Sequence, residues 1–190
     1  MKTVFLIAGE SASGKDSLVQ RVCKDMSLKQ VISYTTRARR LGEGDSHIFI
    51  DKADVDKYRD DMIAYTEIDG NEYFATSKQL EESDIYVIDP IGIKRLRTLV
   101  ANKNMRFVTI YINTPLGIRK VRSANRGDLP FVYESRVEDE TQQFQYFLKH
   151  AEFDYAVQNI DFEKAIKVLE HIIAVEKLSD LEGALDRFVL

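Results

Sequence analysis

The residues best suited to chemistry stand near the start of the chain, in Gly9-Glu10-Ser11-Ala12-Ser13-Gly14-Lys15-Asp16-Ser17. Their order is the phosphate-binding pattern G-x-x-x-x-G-K. Gly9 and Gly14 let the backbone turn inward without a Cβ in the way, so that successive N–H groups of Ser11, Ala12, Ser13 and Gly14 can face one anion. A helix starting at this point adds its positive end, and Lys15 adds a mobile full charge. The chemistry on offer is the grip of a polyphosphate. Asp16 takes the place after the lysine where Ser or Thr usually offers a hydroxyl to magnesium, with Ser17 behind it. A carboxylate beside a triphosphate is tolerable when Mg²⁺ lies between them, directly or through water. Otherwise Asp16 turns away and simply favours the helix N-terminus. Both readings stay open, with Ser17 and Asp16 as the candidate metal ligands.

Elements that could hold this loop are legible on either side of it. Val4-Phe5-Leu6-Ile7-Ala8 is a short apolar run suited to a buried strand. Leu18, Val19, Val22, Cys23 and Met26 follow at helical spacing and define one helix face. Strand, glycine-bounded loop and helix in that order are the setting the loop requires.

At 190 residues, with 44% hydrophobic and 31% charged residues, the chain suits one domain able to bury a full core. The single cysteine, Cys23, excludes an internal disulfide and suits a reducing compartment. No signal peptide is read before the first strand and no apolar run approaches membrane length, so a cytoplasmic protein is expected. A net charge of −4 argues against general nucleic-acid binding. The charge is unevenly spread, however. Between Pro90 and Arg136 ten Lys or Arg face two acids, a balance of +8, which leaves −12 for the remainder. A basic island on an acidic protein suggests a local polyanion site, or merely a solvated face.

Further along, Gln30 to Thr35 predicts a strand leading into Thr36-Arg37-Ala38-Arg39-Arg40 and a glycine-rich turn. His47 to Ile50 predicts another strand, Lys52 to Arg59 a short polar helix, and Met62 to Ala75 a hairpin about Gly70. Alternation then resumes with a strand over Ile85 to Asp89 and a helix carrying Ile93, Leu96, Leu99 and Val100, then a strand over Phe107 to Ile112. Thr114-Pro115 reads as N-cap and first position of a helix bearing Arg119, Lys120, Arg122 and Arg126. A long helix from about Val132 to His150 should turn Val137, Phe144, Phe147 and Leu148 inward. A last strand at Tyr155 to Val157 and a helix from Phe162 to Val175 complete the pattern. Strands separated by helices imply an α/β fold, a parallel sheet with helices on both faces.

The P-loop, Ser33-Tyr34-Thr35-Thr36-Arg37-Ala38-Arg39-Arg40, the hairpin ending Thr76-Ser77-Lys78, and Ile88-Asp89-Pro90-Ile91-Gly92 together resemble the guanylate kinase family. The likeness continues through Arg122-x-x-x-Arg126-Gly127, Arg136 and Phe153 to Asn159, covering roughly residues 3 to 175. It implies a P-loop NTPase fold in one domain, residues 1–190, with core segments 1–32, 77–113 and 141–190. The same likeness implies a strand-rich acceptor-binding insertion at 33–76 and a helical lid at 114–140. It further implies transfer of a phosphoryl group from ATP, with Mg²⁺, to GMP or dGMP, small-molecule nucleotides as partners, and a monomer or homodimer. Lys15, Arg122, Arg126 and Arg136 match catalytic positions, and Asn159 a place near adenine. Arg37 and Arg40 match the clamp on the acceptor phosphate, for which planar guanidinium is suited. His47 stands where the family has a phosphate-binding tyrosine, and a second tyrosine corresponds to Tyr73 or Phe74. Ser33, Thr76 and Asp89 match positions that contact guanine. The family's guanine-reading glutamate is missing, its place falling on Ala64 or Tyr65 according to the hairpin register. Two alternatives are kept. Gly14-Lys15-Asp16-Ser17-Leu18 and Ser46-His47-Ile48 resemble ribose 1,5-bisphosphate phosphokinase, and some guanylate-kinase-like modules bind peptides without catalysis.

Overall fold

A computed structural model describes residues 2–39, 44, 47–68, 70–99 and 105–185. The first apolar run forms β1 (Lys2–Ala8), and Val4 through Ala8 are fully buried. The burial follows from pairing on both edges: β1 lies parallel to β6 (Ile85–Val87) on one side and to β7 (Met105–Asn113) on the other. Beyond β7 lies β8 (Tyr155–Gln158), also parallel, giving the order β6-β1-β7-β8. Alternation along β1 assigns the two layers. Val4, Leu6 and Ala8 face Ile93 and Leu96 of α3 (Pro90–Leu99) and Phe144 and Phe147 of α5 (Pro130–Lys149). Phe5 and Ile7 face Leu18, Val19 and Val22 of α1 (Lys15–Asp25) and Leu169 and Ile173 of α6 (Phe162–Leu185). Near-continuous apolar strands are what a parallel sheet covered on both faces demands.

This topology brings the carboxyl ends of the strands to one edge. The P-loop leaves β1, Asp89 follows β6, Thr114 follows β7 and Asn159 follows β8. Ligands of open α/β sheets bind at such an edge.

The segment after α1 builds a second sheet of order β3-β2-β5-β4, from β2 (Tyr34–Thr35), β3 (Ile48–Phe49), β4 (Met62–Ile68) and β5 (Asn71–Thr76). A ten-residue 3-10 helix at Lys52–Asp61 precedes β4, and Gly70 takes the left-handed turn position at φ 67°. The aromatic packing beneath this sheet is Tyr34 stacked on Phe74 at 5.1 Å, with Tyr58 beside both.

Several elements differ from their sequence reading. The strand expected from Gln30 is short because the chain changes sheets within it: Gln30 bridges Ile85 of the core, whereas Tyr34 already pairs with Phe74 and Ile48. The strand expected up to Asp89 ends at Val87. Thr114 is not a helix cap. Its hydroxyl donates to the Ser13 carbonyl at 2.9 Å, and α4 (Leu116–Asn125) begins after Pro115 with no side-chain cap. Leu148 and Leu99 point outward, and Tyr133 is the buried residue in the first turn of α5. Val100 lies outside the described residues, and α6 runs to Leu185, well beyond Val175.

Candidate active site

The P-loop is built around one carbonyl. Ser13, itself fully buried, offers its backbone oxygen to three donors: Asn159 Nδ2 at 2.7 Å, Arg122 Nη1 at 2.8 Å and Thr114 Oγ1 at 2.9 Å. In a trans peptide the following N–H points the opposite way, so these donors together aim the Gly14 amide away from themselves. Gly14 has no alternative. At φ 84° it occupies the left-handed region, and a Cβ there would sit 2.7 Å from Asn159 Nδ2 and 3.2 Å from Arg122 Nη1. Gly9 is equally confined, since its Cβ would meet Ser13 Oγ at 2.8 Å and the Ile112 carbonyl at 2.9 Å. Ala12 takes φ 61°, a conformation that costs a residue with a Cβ about 1–2 kcal/mol. Strain of this kind is typical of a ligand clamp.

Helix α1 then starts at Lys15, and its ammonium lies 3.6 Å from Asp16 Oδ2. Asp16 and Ser17 are both exposed in that first turn. Among the described residues no group of three or more His, Cys, Asp or Glu could hold a metal ion. One carboxylate and one hydroxyl are hard oxygen donors, a set that fits Mg²⁺, which keeps several waters and takes its other ligands from phosphate.

The cations expected on the lid take two different places. Arg122 is tied to the loop, donating to Ser13 and, through Nη2 at 2.9 Å, to the Asn159 carbonyl. Burial lowers the pKa of its guanidinium. Arg126 and Arg136 instead converge on Asp128: Arg126 Nε reaches Oδ2 at 3.1 Å, Arg136 Nη1 lies 3.7 Å away, and Ser123 Oγ donates to the same oxygen at 2.7 Å. Burial works against the Asp128 anion, but the Arg126 and Ser123 hydrogen bonds and both arginine charges hold its pKa below the usual carboxylate value. Asn159, fully buried, serves the loop backbone with its amide nitrogen.

Across the edge of the second sheet lies a cavity of about 120 Å³ lined by Ser33, His47, Ala64, Thr66, Tyr73, Tyr86 and Asp89. Four sequence-derived acceptor residues, Ser33, His47, Tyr73 and Asp89, are thus brought together. Asp89 is fixed there by the Gly92 amide, which donates to Oδ1 at 2.7 Å, while Thr66 Oγ1 lies 3.4 Å from Oδ2. His47 meets Tyr73 edge-on at 5.8 Å. Thr76 stands apart from this lining. Its hydroxyl caps α2 (Ser77–Glu82), and with Gln79 it forms a capping box. Arg37 lies at the end of β2, its guanidinium 5.3 Å from the Phe49 ring centroid and donating to the Ala38 carbonyl at 2.8 Å. Arg40 lies outside the described residues.

The hairpin register separates the two candidate positions on β4. Ala64 pairs with Ala75 and lines the cavity together with Thr66. Tyr65 pairs with Phe74 on the other face, where its neighbours are Glu72, Glu67 and Arg59. Thr66 and Tyr86 are two further residues of the cavity lining. Thr66 could have been found by alternation from Ala64, but Tyr86 looks like any core residue of a buried strand. Its phenol accepts from Ser33 Oγ at 3.3 Å, and burial pushes its pKa up to about 12, keeping it a neutral hydroxyl.

The sequence profile described as guanylate kinase matches residues 1–176. The chain belongs to the guanylate kinase family. The guanylate kinase of Buchnera aphidicola is 30% identical over 190 residues, covering 92% of this chain and 88% of that one. Those of Salmonella choleraesuis and Escherichia coli K12 are each 28% identical over 191 residues, 93% of this chain and 89% of theirs. Among solved structures, the guanylate kinase of Anaplasma phagocytophilum superposes with a TM-score of 0.69 at 20% identity, over 92% of this chain and 86% of that one. The likeness to that structure concerns the fold: the family's parallel sheet with flanking helices and P-loop is the one described above. No helix among the described residues is long and apolar enough to cross a membrane.

Proposed function

We propose that this chain transfers the γ-phosphoryl group of ATP to GMP or dGMP, giving ADP and the nucleoside diphosphate. Family membership makes it a nucleoside monophosphate kinase, a phosphotransferase. The observation that carries the reading is the pairing of a fully formed P-loop at the end of β1 with a polar cavity around Asp89 at the end of β6. The ribose 1,5-bisphosphate and peptide-module readings have no comparable support. Residues 33–76 serve in this reading as the acceptor-binding part and 114–140 as the lid, in a cytoplasmic enzyme.

An acceptor phosphate oxygen is already nucleophilic at neutral pH, so no strong general base is required. Catalysis then rests on alignment and on stabilising charge. The amides of Gly14 and Lys15 and the Lys15 ammonium hold the polyphosphate, while the Ser13 amide closes the loop on the Glu10 carbonyl at 3.0 Å. Asp16 and Ser17 would hold Mg²⁺, which neutralises phosphate charge when bound. Arg37 and Arg40 draw the second anion in. Arg126 and Arg136 leave Asp128 for the transferring group as the lid closes, and closure keeps water from taking the phosphoryl group. Arg122 and Asn159 act through the loop backbone they brace. Ser33, Asp89 and Tyr73 line the base and phosphate pocket with His47, and Thr76 contributes by fixing the α2 end of β5.

The acceptor side can be tested at Arg37. Arg37→Ala should raise the acceptor KM roughly tenfold, the lower end expected for one charged hydrogen bond, and leave the ATP KM within about twofold. Equal rises in both constants, measured by coupled ADP release, would remove Arg37 from the acceptor site.

A further inference from the structure

One buried ionic cluster beside the P-loop has no part in the mechanism above. Glu140, on α5, accepts from the Ser11 amide with both oxygens, at 2.8 and 3.0 Å, and from Ser11 Oγ at 3.0 Å. Behind it Arg119 of α4 is almost completely buried, with Nη1 3.7 Å from Glu140 and Nη2 3.5 Å from Glu10. Arg119 Nε donates to the Thr114 carbonyl at 3.0 Å, and Tyr111 of β7 donates to Glu10 at 2.8 Å. Burial raises the pKa of this carboxyl, and the Ser11 hydrogen bonds and the charges of Lys15 from α1 and of Arg119 work the other way, in favour of the anion. Tyr133, one turn into α5, and Glu10 are the other titratable groups facing this cluster. Buried charges are kept when they are paired and hydrogen-bonded, and removing one partner leaves the others exposed to an uncompensated field.

Two roles are conceivable for a carboxylate on a phosphate loop: a plug that phosphate must displace, or a strut. The geometry points to a strut. Its anchor is Ser11, on the outer limb of the loop, whereas the positive helix end that best meets a polyphosphate begins at Lys15. Arg119 and Glu10 fix the carboxylate from behind, and Ala12, next to the anchor, is the strained residue of the loop. Arg136 lies four residues before Glu140 on α5, hence on the same helix face. We propose that Glu140 is a positioning residue: by holding the Ser11 amide it keeps the P-loop in its nucleotide-binding shape and in register with the lid arginines.

The inference rests on the kinase reading for its nucleotide but is tested by ATP affinity, with GMP affinity as the control. Calorimetry with ATP–Mg²⁺ should show Glu140→Ala weakening binding about tenfold, for loss of a charge-assisted pair of bonds. Glu140→Gln, which keeps shape and one acceptor oxygen, should weaken it about threefold, a partial rescue. GMP affinity should stay within about twofold in both variants, a split that general destabilisation would not produce. Should Glu140→Ala not fold, Glu140→Gln carries the test. Unchanged ATP affinity in the folded variants overturns the proposal. Tighter binding also overturns it, and assigns the plug role instead. If the unaltered chain bound ATP–Mg²⁺ yet phosphorylated no monophosphate, the kinase reading would fall, while the Glu140 variants would still be judged on ATP affinity.

Discussion

Replacing Lys15 by alanine is expected to cut phosphoryl transfer by about 10²–10³, the usual cost of losing one donor aimed at developing phosphate charge. The fold should survive, because the buried face of α1 is made by Leu18, Val19 and Val22. The melting temperature should therefore stay close to that of the unaltered chain while steady-state ADP release collapses. A variant within a factor of a few of full activity would mean that the loop does not bind the reacting phosphates. Loss of activity together with loss of cooperative melting would instead reveal a structural lysine.

Ala64→Glu should raise the preference for GMP over AMP by roughly 10–100-fold, equivalent to about 1.4–2.8 kcal/mol for a charged hydrogen-bonded pair. Guanine offers N1–H and N2–H₂ donors in a fork that a carboxylate accepts, and adenine has no such pair. Ala64 lines the acceptor cavity beside Thr66, so a carboxylate added there enters the space that a base would occupy. Tyr65→Glu serves as the control. It adds a carboxylate on the opposite face, near Glu67 and Glu72, and should leave the GMP-to-AMP ratio unchanged. With alanine in place, discrimination against AMP should be weaker than in relatives that keep the glutamate. A ratio unmoved by Ala64→Glu would place the base elsewhere than in this cavity.

The difference between these two positions shows where the sequence was legible and where it was not. The P-loop, β1 and α1 could be read directly, since each follows from local rules: an apolar run, two glycines, and helical spacing. The face of β4 could not. Its register shifts between Met62 and Ala64, and a one-residue irregularity reverses every side chain that follows without leaving a mark in composition. Thr114 misled for a different reason. Threonine before proline is a sound cap signal, but the Ser13 carbonyl across the sheet offered its hydroxyl a better partner. Glu140 was invisible because it sits in the run Glu138-Asp139-Glu140, which reads as a solvated helix face. Only the packing of α5 against the P-loop turns one of those three acids inward. The basic island from Pro90 to Arg136 resolves in the same way: Arg119 and Arg122 brace the loop, and Arg126 and Arg136 share Asp128. The positions of Arg122, Arg126 and Arg136 in the chain carried the family likeness, but the partners of all four could be learned only from tertiary structure.

The most direct test of the central claim is coupled ADP release by the unaltered chain with ATP–Mg²⁺ against GMP, dGMP, AMP and ribose 1,5-bisphosphate in parallel. The account predicts that GMP and dGMP are turned over fastest, AMP measurably but more slowly, and the sugar bisphosphate not at all. Turnover of ribose 1,5-bisphosphate without GMP, or ATP binding with no acceptor used, would contradict it.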